Sequence, residues 1–161
     1  MAKINEFNAE NDITVRSADG GDLSRIIALD GQISGITKPE YWQESFRRFG
    51  GLQDGRHFLV AEKKSLIVGF IIGEIRAWEF GSPPGGWVFS LTVDPDTRLC
   101  GVATMMFDTI CQCFRQAGVN KVHTMTDRDN ITVMSFFRAQ GMMAGSTIPL
   151  EMDLTEPGSP S

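Results

Sequence analysis

The chain has 161 residues, 42% of them hydrophobic and 22% charged, a length suited to one domain and a composition that argues against disorder, collagen or a coiled coil. Fifteen Lys and Arg against 20 Asp and Glu leave a net charge of -5, which gives no general pull toward nucleic acid or an anionic membrane. The longest apolar stretch, Leu66 to Ile75, is broken by Gly69, Gly73 and Glu74 and falls short of the roughly 20 residues a membrane helix needs. No apolar signal core opens the sequence, and the three Cys are odd in number and crowded at positions 100, 111 and 113, so a reducing, cytoplasmic setting is expected.

Ile13 to Ala18 alternates as a half-buried strand, and Asp22 stands as N-cap before a helix carrying Leu23, Ile26, Ile27 and Leu29. Pro39 opens a second helix with Tyr41, Trp42, Phe46 and Phe49 at helical spacing. From His57 to Phe80 the pattern is β, with a charged turn at Glu62-Lys63-Lys64, and after the loop Gly81 to Gly86 the run Trp87 to Val93 completes a three-stranded meander. Pro95 ends that strand, and Val102 to Phe114 repeats apolar residues at i, i+3, i+4 until Gly118 stops the helix. Val119 to Thr126 reads as a strand, Val133 to Phe137 as a helix closed by Gly141, and Ile148 to Leu154 as a last strand before a flexible tail at 155–161. No linker or repeat divides the chain, so a single domain with a core of about 13–154 is expected.

The segment from Val88 to Thr104 runs a strand through a turn into a helix N-terminus. The first N–H groups of a helix lack intrahelical acceptors and sit at the positive end of its dipole, so such a turn holds a phosphate without many cations. There is no G-K-[ST], which excludes a Walker A loop, and the glycine pattern is a poor dinucleotide fingerprint. What Arg98-x-x-Gly101-x-Ala103 after such a strand resembles is the pyrophosphate loop of the GNAT superfamily of N-acetyltransferases. Asn130 ahead of Phe136-Phe137-Arg138-Ala139-Gln140-Gly141-Met142 is similar to a second block of that family, and the order of elements matches over about Ile13 to Leu154.

The resemblance implies an α/β domain of GNAT type: a mixed, mostly antiparallel sheet flanked by helices and splayed between two central parallel strands, with the pantetheine arm of acetyl-CoA in the gap. It assigns the cofactor to Leu91, Thr92, Val93, Arg98, Leu99, Cys100, Gly101, Val102, Ala103, Thr104, Asn130, Met134 and Phe137. The Val93 N–H would polarise the thioester carbonyl. It implies transfer of acetyl to a small-molecule or peptide amine by direct attack with both substrates bound, and by family habit a homodimer. Two positions depart from the family. Cys100 stands where a basic residue is common, and Phe137 where many members place the Tyr that protonates the thiolate, a step Phe cannot perform.

Alternation along Phe70 to Trp78 puts Glu74 on the face of Phe70 and Ile72, where it is either the general base, directly or through water, and part of the acceptor site, or one of the solvated residues of a hairpin. Tyr41 and Trp42 either line the acceptor pocket or pack the core. Weak acid and base machinery suits an α-amine, whose pKa near 7.7 to 8.0 lies well below that of Lys. His57 and His123 read as structural, Cys111 and Cys113 as core fillers, and no metal is expected; Cys100, near a helix N-terminus, is flagged for a lowered pKa. The competing reading is a non-catalytic module that binds CoA, an acyl-CoA or a protein partner on the same fold.

Overall fold

The computed structural model describes residues 5–8, 12–98 and 101–155, in two compact units, Met1–Met125 and Thr126–Ser161. The first holds a six-stranded sheet in sequential order: β1 (Asn5–Asn8), β2 (Ile13–Ser17), β3 (Arg56–Lys63), β4 (Leu66–Arg76), β5 (Gly85–Val93) and β6 (Val122–His123). Strands β1 to β5 pair antiparallel, and β5 with β6 parallel. Helices α1 (Leu23–Ser34) and α2 (Pro39–Phe49) connect β2 to β3, and α3 (Val102–Gln116) connects β5 to β6. The second unit contains α4 (Ile131–Ala139).

Alternation in β3 and β4 divides the apolar side chains between two cores. Phe58, Val60, Phe70 and Ile72 join Ile26 and Leu29 of α1 and Trp42 and Phe49 of α2. The opposite face receives α3 at close range. A Cβ added to Gly69 would lie 2.9 Å from Met106 Cε, and one added to Gly86 would lie 2.3 Å from the Phe114 ring. These two glycines therefore set how near the helix can approach the sheet.

Several expected boundaries move. Asp22 does not cap α1; the Asp19 carboxylate takes the Gly21 N–H, and Asp22 returns a bond to the Asp19 N–H while its oxygens receive Arg16 at 2.7 and 2.9 Å. Burial alone would raise the Asp22 carboxyl, but those hydrogen bonds outweigh it and hold it below the usual carboxylate range. The β3–β4 turn falls at Lys64 and Ser65, both left-handed, the conformation of a two-residue hairpin loop. The run Val119 to Thr126 yields only the two residues of β6.

The strand expected at Ile148 to Leu154 is not formed. Ile148, Leu150, Met152 and Leu154 alternate as a strand would, yet all are between 76% and 89% exposed. Alternation alone does not make a strand, which needs a neighbour to take its N–H and C=O groups, and this segment has none among the described residues. The parallel pair is consequently at the margin of the described sheet rather than at its centre.

Candidate active site

The site begins with the edge of β5 that β6 leaves uncovered. Pairing between the two strands is confined to Gly86–Val122 and Trp87–His123, after which the Thr124 hydroxyl donates to the Val88 carbonyl at 2.8 Å. Beyond that point β5 continues to Val93 with no strand opposite among the described residues. A β-bulge lies at the same level: Ile72 faces Ser90 and Gly73 faces Val88, so Phe89 is the extra residue. Bulges bend a strand and increase its twist, which suits the parting of β5 from β6 here.

Register fixes which β5 groups face the opening. The Asp94 N–H donates to Val68 O at 2.8 Å, and hydrogen-bonded pairs recur at every second residue of an antiparallel ladder, so Thr92 and Ser90 turn their main-chain groups to β4. Leu91 and Val93 turn theirs outward. This free edge leads to the turn at Asp94, whose carboxylate accepts from the Asp96 N–H at 3.0 Å and from Arg25 Nη2 at 2.8 Å. Arg25 also donates to Ile67 O at 3.1 Å, tying α1, β4 and the turn together.

Past the turn, Arg98 is exposed and Gly101 adopts φ 74°, the left-handed conformation that glycine accepts without penalty. The first intrahelical bond of α3 runs from the Met105 N–H to Gly101 O at 2.9 Å, leaving the Val102 and Ala103 N–H groups at the positive end of the helix. Val102 is buried against the core, while Ala103 and Thr104 are half-buried. Leu99 and Cys100, also assigned to the cofactor, lie outside the described residues.

At the closed end of the opening, four residues from four strands stand side by side: Arg56 opposite Glu74, Glu74 opposite Trp87, and Trp87 opposite His123. Glu74 is 7% exposed, which removes the reading of a solvated hairpin residue. Its Oε1 accepts from Arg76 Nε at 3.0 Å, and Oε2 lies 3.7 Å from Arg56 Nε. The Arg76 guanidinium covers the Trp87 and Phe89 rings at 5.8 and 5.9 Å, and Phe89 packs on Phe49 of α2 with centroids 5.0 Å apart. The result is a ring of cations and aromatics around one carboxylate.

Val93 and Glu74, the two residues expected to catalyse, do not come together. Val93 is opposite Gly69, five residues along β4 from Glu74, which at roughly 3.3 Å per residue is about 16 Å. A donor at Val93 and a base at Glu74 cannot serve the same bond. Leu91, opposite Ile71, is nearer by two residues.

Trp42 belongs to the core and not to an acceptor pocket: it is 2% exposed, packs on Phe58 and Phe70, and donates its indole N–H to Asp30 at 2.9 Å. Tyr41 is 54% exposed with its ring edge-on to Trp42. In the second unit, Asn130 caps α4 by accepting from the Val133 N–H at 3.2 Å, Met134 is half-buried, and Phe137 is buried with its ring against Phe136. Cys111 and Cys113 are buried, and burial pushes the Cys111 thiol up. Among the described residues no group of three or more His, Cys, Asp or Glu could hold a metal, and no helix is long and apolar enough to cross a membrane.

Residues that sequence reasoning missed are Arg25, which anchors the turn from 69 positions away, and Arg56, which faces Glu74 from the neighbouring strand. The Asp-Pro step after β5 could have flagged Asp94 as a turn cap. Nothing local could have supplied its partner.

The acetyltransferase (GNAT) family profile matches residues 23–142. The chain belongs to that family. No curated protein matches it significantly. Among solved structures it is similar to the aminoglycoside N-acetyltransferase AAC(6')-Iy in complex with CoA, at 16% identity and a TM-score of 0.77 over 89% of this chain and 95% of the other. The aminoglycoside 6'-N-acetyltransferase AAC(6')-Ih from Acinetobacter baumannii gives 17% identity and a TM-score of 0.75 over 89% and 99%. A transcriptional regulator from Bacillus halodurans gives 17% and 0.73 over 88% and 99%. At these identities the likeness establishes the fold.

Proposed function

We propose that this protein transfers acetyl from acetyl-CoA to a primary amine by direct attack with both substrates bound, and that it does so in the cytoplasm, as a homodimer by family habit. The observation that carries the reading is the free edge of β5, with Leu91 and Val93 facing outward, running into the N-terminus of α3. Amide donors along that edge suit the two amides of a pantetheine arm, and the helix terminus suits a diphosphate.

Arg98, the 99–100 segment, Gly101, Val102, Ala103 and Thr104 hold the diphosphate in this reading, with Thr92 in the strand that leads to it. The second unit's Asn130, Met134 and Phe137 keep the cofactor role the resemblance gives them. A pantetheine arm is comparable in length to about four extended residues, so an arm anchored by the α3 terminus brings its thioester toward Leu91 and Phe89 instead of Val93. Leu91 N–H then becomes the donor to the thioester carbonyl, and Val93 a holder of the arm. Glu74, with Arg76 and Phe89, shapes the acceptor side, and Tyr41 remains available to an acceptor from α2.

Phe137 has no proton to give, so the departing thiolate takes its proton from the amine or from water. The acceptor is an amine of low basicity, such as the α-amine of an amino acid or peptide. The experiment is thiol release from acetyl-CoA across a panel of peptides, amino acids and aminoglycosides. Turnover with any acceptor supports the transferase. Saturable CoA binding with no turnover on the panel supports a non-catalytic CoA-binding module, and no CoA binding overturns the reading of the β5 edge.

A further inference from the structure

We infer that His123 takes the proton from the acceptor amine; the inference rests on the transferase reading above. His123 is the last residue of β6 paired with β5 before the opening, and it stands in the lateral row with Trp87, Glu74 and Arg56. It therefore borders the closed end of the gap, the end toward which a thioester anchored from α3 is carried.

The imidazole is held in place there. Its ring stacks on the Trp87 indole with centroids 4.8 Å apart and planes 21° from parallel. A Cβ on Gly85 would lie 3.0 Å from both Cδ2 and Nε2 of His123, so the ring occupies space that exists because residue 85 is glycine. The edge bearing Nδ1 is turned away from Gly85. An orientation set by packing on both sides is what a proton acceptor needs when its partner is a mobile substrate.

Competition within the site also favours His123 over Glu74. The Glu74 oxygens already face Arg76 and Arg56, whereas no hydrogen bond to the His123 ring forms among the described residues. Among the described residues of the first unit, the charged groups facing this end are Glu74 and Arg76 from β4 and Arg56 from β3. β5 contributes only Trp87, Phe89 and Ser90, and Lys121 precedes His123 in its own segment. Glu74 is two strands from His123, about 10 Å at the usual strand spacing. The imidazole accepts one proton from the ammonium, directly or through a water. The freed amine forms its C–N bond to the acetyl carbon as the C–S bond breaks. One further proton from that nitrogen leaves with the thiolate as thiol, and the imidazolium returns its own to solvent.

Two variants separate chemistry from packing. His123→Phe keeps a flat ring on Trp87 but removes both nitrogens, and His123→Ala opens space for added imidazole. For any acceptor the wild type acetylates, His123→Phe is expected to bind CoA normally, lose about a hundredfold in kcat and lose the acid limb of its pH–rate profile. Added imidazole should restore part of the His123→Ala rate. The chain has only one other histidine, His57, so His57→Phe tests whether the limb belongs to it. Wild-type kcat and an unchanged acid limb in His123→Phe would overturn the inference and leave the transferase reading standing. Wild-type protein that binds CoA but acetylates no acceptor would remove both.

Discussion

The two ends of the β5 opening are built from different materials. At the α3 end the groups that the proposed reading uses are main-chain: the outward amides of Leu91 and Val93 and the N-terminal amides of the helix, placed by ladder register and by one left-handed glycine. At the closed end they are side chains, contributed by β3, β4, β5, β6 and α2 and held by ion pairs and ring contacts. A main-chain site tolerates changes in side-chain identity as long as the backbone keeps its path. A side-chain site does not, and can therefore differ between proteins that share this fold, which is where selectivity for an acceptor would be set.

The largest effect should come from the core under β3 and β4, on which both ends rest. Trp42→Ala deletes a buried indole that touches Phe58 and Phe70 and leaves Asp30 without that donor. A loss of about 3–5 kcal/mol in unfolding free energy is expected from denaturant titration. A loss under about 1 kcal/mol would mean Trp42 is not part of the core. Next is the main-chain end. Among the described residues nothing lies within 4 Å of a Cβ at Gly101, so the cost counted for Gly101→Val is conformational: about 1–2 kcal/mol at φ 74°. CoA binding measured by calorimetry should weaken about five- to thirtyfold. An unchanged Kd would show that the turn does not hold the nucleotide.

Glu74→Gln addresses the other end with the smaller kinetic effect. Arg76 and Arg56 lose their common carboxylate, the guanidinium over Trp87 and Phe89 is freed, and the acceptor side loosens. We expect about a tenfold fall in kcat/KM for the acceptor, below the range for a proton-transfer group, with CoA affinity unchanged. Equal losses in both would erase the distinction between the two ends.

The same distinction explains what could be read in the sequence. The main-chain end was legible because its determinants are contiguous: a β-rich run, Asp-Pro, and Arg98-x-x-Gly101-x-Ala103 all fall within a short stretch, and each has a local conformational meaning. The closed end was only half legible. Alternation put Glu74 on the correct face, but its neighbours Arg56, Trp87 and His123 are set by register across the sheet, and the bulge at Phe89 shifts that register by one residue. No pattern in a single segment encodes that shift. For the same reason the alternation of Ile148 to Leu154 suggested a strand, since periodicity reports a face to bury and not the partner edge.

The two imidazoles sharpen the comparison with the smallest expected effect. His57 lies on the opposite face of the sheet from His123, edge-on to Phe114 of α3, with its Nε2 buried and, among the described residues, without a hydrogen-bond partner. Burial lowers its pKa from the ordinary value of 6.5. As pH falls through that ordinary value the unfolded chain takes up a proton that the folded chain still refuses, so unfolding is favoured. The stability associated with a neutral His57 is thus complete above about pH 6.5 and declines as pH falls toward the lowered folded value. His57→Phe keeps the ring against Phe114 and should flatten stability between about pH 5 and 7, with a slope change of at most one proton, while leaving the pH–rate profile alone. His123→Phe should change the pH–rate profile. If one substitution changed both profiles, the opposite faces of the sheet would not be separable as a structural and a chemical side.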